Sequence, residues 1–160
     1  MIKKIFFFKF LLLIFIANNL HSAINNSIIA YVGNSIITSE DIQIKIITTL
    51  ILSNQNINQK NIDNVKQFAL KNIIRGIIKK KEIEKYEVTE FNKKDLNNHI
   101  LKLASSKGLS TEQDVKEFFN QNNLNFEEYI ENVKINLKWN TFIYRMYGNQ
   151  ITINTLEIEN

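Results

Sequence analysis

Ile28-Ile29-Ala30-Tyr31-Val32-Gly33-Asn34-Ser35-Ile36-Ile37-Thr38-Ser39-Glu40-Asp41-Ile42 is where the chain changes from one kind of structure to the other. The β-branched run 28–32 closes on Gly-Asn and resumes as Ile36-Ile37, which predicts a strand, a tight turn and a brief return. Thr38 then offers a hydroxyl to the amide of Asp41, and Glu40 and Asp41 place acids in a first helical turn. A helix should therefore start at Thr38 and run through Ile42, Ile46 and Leu50 to about Ser53.

Downstream, the same logic repeats. Asn54 to Lys60 is a polar loop. Asn61 is the expected cap of a second helix, whose Ile62, Val65, Ala69, Ile73 and Ile77 recur at helical spacing, widened by Leu70, Ile74 and Ile78. It should last to about Tyr86 and be the most buried helix of the first half. Asn92 with Asp95 opens a third, ending at Lys107-Gly108. Thr111 with Asp114 opens a short fourth, and Asn125 with Glu128 a long fifth, stopped by Gly148. Ile151-Thr152-Ile153 is expected as a second strand, free to pair with residues 28–33. The fold class is thus mostly α: a five-helix domain with two short β-strands near the chain ends, pairing antiparallel.

The N-terminus reads as an export signal. Met1-Ile2-Lys3-Lys4 is basic, Phe10 to Ala17 is apolar, and Asn18 to Ala23 is polar and ends in small residues. The apolar run is shorter than the ~20 residues that span a bilayer. Residues 1–23 are therefore expected to be a cleavable signal peptide and 24–160 the domain, located in the periplasm. Three of the 20 basic residues, Lys3, Lys4 and Lys9, lie in the leader and none of the 16 acids does, so the formal charge falls from +4 to +1. A body so nearly neutral has no general attraction for phosphate backbones, and nucleic acid is not an expected partner.

Catalytic, cofactor-binding and metal-binding residues are not expected. The chain has no cysteine, and His99 is the only histidine after the leader, read as a surface or interhelical polar residue. The four glycines do not cluster into a phosphate loop. Glu40-Asp41 and Glu127-Glu128 suit helix first turns, and Lys79-Lys80-Lys81 reads as a solvated face. No small-molecule substrate is implied.

The last helix says more. At 100° per residue, Phe126, Ile130, Val133, Leu137 and Tyr144 share one side, and Ile135, Trp139, Phe142 and Met146 the other. A surface helix needs only one apolar stripe. Two stripes mean either a helix sandwiched within the domain or a stripe facing a partner. Ile135, Trp139, Phe142 and Met146 are the candidate client-binding residues, because large polarizable side chains adapt to varied apolar partners.

The order of elements resembles the N-terminal domain of SurA-type periplasmic chaperones. The resemblance rests on Ile29-Ala30-Tyr31-Val32-Gly33-Asn34 with Ile36 to Ile42, on the Ile-rich run Leu70 to Ile83 before Val88-Thr89-Glu90, and on Lys107-Gly108-Leu109-Ser110. Asn125-Phe126-Glu127-Glu128-Tyr129, the long helix and Ile151-Thr152-Ile153 complete it, so that it covers residues 28–155. Gly33 stands one place before the asparagine, a departure from the family spacing. The resemblance implies a chaperone (holdase) that binds unfolded outer-membrane proteins during transit and assembly. Family members continue into parvulin-type prolyl isomerase domains; no residues of this sequence correspond to them, so enzyme activity is not expected. The alternatives are a member or fragment of the prolyl isomerase family and a membrane-anchored helical adaptor that keeps its N-terminal segment. Self-association stays open.

Overall fold

The computed structural model describes residues 26–148. Within them Ile28–Val32 (β1) and Ser35–Thr38 (β2) form a two-stranded antiparallel sheet. Gly33 takes a φ of +59° at the first turn position, where only a residue without Cβ sits unstrained. Tyr31 pairs with Ile36 and Val32 with Ser35, and a bulge at Ile29 shifts the register beyond Ala30. Ala30, Val32 and Ile37 point into the protein, while Tyr31 and Ile36 stay exposed. The sheet is thus the hairpin read from 28–37; the expected strand 151–153 lies outside the described residues.

Five helices follow: Ser39–Leu52 (α1), Gln59–Lys85 (α2), Lys93–Ser106 (α3), Glu112–Gln121 (α4) and Phe126–Tyr147 (α5). Thr38 and Thr111 each close a reciprocal box with the aspartate three residues on. The cap of α2 is Asn58, not Asn61. The Asn58 side chain accepts from the Asn61 amide, and Asn61 instead donates to the Asn56 carbonyl oxygen at 2.8 Å. Either asparagine satisfies the capping rule, and the turn geometry decides between them.

Helices α1 to α4 all stop in one way. Asn54, Glu87, Gly108 and Asn123 adopt positive φ, and the next residue donates back to the carbonyl of Leu50, Ile83, Ala104 or Phe119 at 2.8–2.9 Å. In three cases that next residue, Val88, Leu109 or Leu124, also packs into a core cluster. Each stop therefore aims the chain back into the core.

The core is built in three parts. Ile37, Ile42, Ile46, Leu50 and Ala69 form the first, with Ile62, Val65, Leu70, Ile73, Ile74 and Ile77 against it. Ala104, Val115, Phe119, Leu124 and Phe126 form the second, joined by Ile47, Ile51 and Leu52 from α1. Ile83, Val88 and Phe142 form the third. Helix α1 consequently serves two clusters with two faces. It buries three residues against two in α2, so the expectation that α2 would be the more buried is reversed. One flank of α2 stays partly open, because the helices on either side of it do not close over Ile73 and Ile77.

Candidate functional site

That open flank is the floor of a groove of about 610 Å³. Helices α2 and α5 run side by side in the same direction: Lys79 Nζ donates to Asn136 Oδ1 at 2.6 Å, Ile83 shares a cluster with Phe142, and Arg145 pairs with Glu90. Helix α1 lies along the other side of α2. The groove runs between α1 and α5, with Ile36, Ile44, Ile73, Ile77, Val133 and Ile135 supplying its apolar lining. Asp41, Lys45, Lys80, Glu128 and Glu131 bring charge to it. Gly76 is in the floor, and a Cβ built there would meet nothing within 4 Å. The groove is roomy at that point because α2 carries no side chain there.

Its far end is bounded by a polar pair. His99 of α3 and Tyr129 of α5 share a hydrogen bond of 2.7 Å, and both line the groove. Burial pushes the His99 pKa below its ordinary value, and nearby Lys102 pushes the same way. Burial likewise raises the Tyr129 phenol. A neutral imidazole against a neutral phenol is an interhelical strut, the reading given to His99 from sequence. Among the described residues no three His, Cys, Asp or Glu side chains gather as a metal would need.

The four candidate client-binding residues divide. Ile135, Trp139 and Phe142 pack with Ile83 and Val88 in the seam of α2 and α5. The Trp139 and Phe142 rings stand 5.3 Å apart, and Tyr86 caps Phe142 at 4.9 Å. Phe142 is buried, Ile135 and Trp139 are half-buried, and Met146 is 46% exposed. Much of this stripe is thus occupied by the protein's own α2 and the turn after it; Met146 and parts of Ile135 and Trp139 remain open. The opposite stripe is also used: Phe126 and Ile130 join the second cluster and Val133 is buried beside the groove, whereas Tyr144 is 75% exposed. The helix is sandwiched over most of its length, and apolar surface reappears at its end as Tyr144, Met146 and Tyr147.

Sequence reasoning missed the groove. Its apolar residues come from β2, α1, α2 and α5; Ile73, Ile77 and Val133 read as ordinary core stripes, Ile44 belongs to no stripe, and only Ile135 is among the candidate client-binding residues. The one available signal was Gly76, a residue of low helix propensity inside a long helix. The lysine run is also less solvated than expected. Lys79 bonds Asn136, and Lys81 donates to the Val32 carbonyl oxygen at 2.7 Å, tying the hairpin turn to α2. No helix among the described residues is long and apolar enough to cross a membrane. No protein-family model, curated protein or solved structure matches the chain.

Proposed function

We propose that the protein is an exported holdase that shields unfolded outer-membrane polypeptides in the periplasm, using the α1–α2–α5 groove as its main contact. The groove carries this reading. It is open and apolar along its floor, it is edged with charged and amide groups, and Tyr31, Ile36 and Ile44 extend exposed apolar surface from its hairpin end. Such a surface offers many weak contacts to an extended chain, and capture proceeds by mass action without nucleotide. The resemblance to SurA-type N-terminal domains supports the same reading, and residues 1–23 have the charge and hydropathy order of an export signal. Met146 and the tyrosines beside it are a secondary contact.

The test is light scattering during dilution of a denatured outer-membrane β-barrel protein. The purified protein suppresses aggregation at a near-stoichiometric ratio, and absence of suppression at several-fold excess overturns the proposal. A proline-isomerisation assay on a short peptide is expected to stay at background.

A further inference from the structure

At the seam of α2 and α5 the groove continues into a recess of about 260 Å³, and its lining residues carry positive charge only. Lys45, Arg75 and Lys79 line it with the amides of Asn72, Asn132 and Asn136; Gly76 and Ile135 complete it, and no carboxylate belongs to it. Among the described residues none of the three cations has a carboxylate within 4 Å. Lys79 reaches two neutral groups, the amide oxygen of Asn136 and the face of the Trp139 ring, whose centroid is 6.0 Å away. Burial lowers the Lys45 pKa, and Glu128 is the charge that opposes the shift. Withdrawing an ammonium from water without an ion pair is costly, and an anion brought into the recess recovers that cost.

We infer that this recess is a carboxylate subsite, which holds a Glu or Asp side chain of a polypeptide whose apolar residues lie in the adjoining groove. The inference rests on the reading of the groove as a polypeptide site and specifies what that site selects. Six residues line both groove and recess, among them Lys45, Gly76 and Ile135. An occupant of the recess is therefore in contact with the apolar floor, which a free ion would not exploit. An open groove edged with asparagine amides also fits a peptide backbone, whose groups need hydrogen-bond partners along their whole length. Arg75 and Lys79 stand one helical turn apart on α2 and Lys45 comes from α1, so that the three line one recess from two helices.

The test uses two short fluorescent peptides of alternating apolar and hydroxyl residues, identical except for one central Glu or Gln. With the full protein at low salt, the Glu peptide binds about fivefold more tightly, the scale of one partly exposed charge-assisted contact. In the Arg75→Gln/Lys79→Gln double variant the ratio of the two affinities falls towards one, whatever happens to the Gln peptide itself, and high salt narrows the gap in the unmodified protein. Equal binding of the two peptides to the unmodified protein, or a gap that survives in the double variant, overturns the inference and leaves the holdase reading standing. Failure of both peptides to bind sinks both. Inorganic phosphate serves as a further probe: a phosphate-induced rise in melting temperature without any Glu-over-Gln preference shows a free-anion site and overturns the peptide assignment.

Discussion

The Lys107 ammonium, from the end of α3, donates to the Ile51 carbonyl oxygen at 2.7 Å and to Asn54 Oδ1 at 2.6 Å, both at the C-terminus of α1. Helix α1 has no basic residue in its own last turn. The cation that a helix C-terminus favours is supplied from another helix, fifty-six positions away in sequence. Lys107→Met keeps the stem and removes the charge. It should cost about 1 kcal/mol, less than a fully buried charged hydrogen bond because the site is partly wet. Urea unfolding checks this, and an unchanged midpoint shows that the bond contributes nothing net.

Gly76 separates stability from binding. Gly76→Ala is expected to raise stability by up to about 1 kcal/mol, the helix-propensity difference, since open space surrounds the position. Gly76→Phe should fold equally well and fill the groove. If the groove holds clients, the phenylalanine variant loses most of its aggregation suppression while the alanine variant keeps it. Retention of full suppression by a folded Gly76→Phe protein removes the groove from the mechanism.

His99 sets a pH dependence whose sign is fixed. Its pKa in the fold lies below the ordinary 6.5, so between those two values the unfolded chain binds more protons than the folded one. Stability therefore rises with pH across that window. The contribution is complete above about pH 6.5 and is lost as the pH falls towards the lower, folded value. Urea midpoints measured from mildly acidic to neutral pH should slope upward in the parent and flatten in His99→Gln. Parallel profiles for the two proteins refute the assignment.

Among the described residues Phe119 is the largest fully buried side chain. Its ring stands 5.0 Å from Tyr129 and 5.4 Å from Phe126, the latter edge-on. Phe119→Ala is expected to cost about 3–5 kcal/mol, a large fraction of the stability of a domain this size. Differential scanning calorimetry measures it, and a loss below about 1 kcal/mol means the second cluster collapses onto the cavity.

Much of the fold was legible because its signals are local. The boxes Thr38–Asp41 and Thr111–Asp114, the cap at Asn125 and the Gly33-Asn34 turn each depend on neighbours within four residues. The choice of Asn58 over Asn61 turned on loop geometry that composition does not encode. Positive φ at Glu87 had no sequence signal either, since glutamate rarely adopts it. The groove was hidden for a different reason. A half-buried Ile73 lining a cleft and a half-buried Ile73 in a closed core give the same periodicity; only the spacing of α1 and α5 across α2 distinguishes them. The choice between a sandwiched and an outward-facing Trp139 stripe met the same limit, because periodicity shows that a helix has two apolar sides without saying what covers each.

Helix α1 sends Ile42, Ile46 and Leu50 to one cluster and Ile47, Ile51 and Leu52 to another. Neither half of the protein can lose its packing without loosening the same fourteen residues. Melting should accordingly be one concerted event, and the slowest amide hydrogen exchange should fall on α1 rather than on the longer α2. The α1 wall of the cleft is then as durable as the molecule itself, and under the proposed holdase role a client would encounter a preformed trough instead of one moulded on arrival.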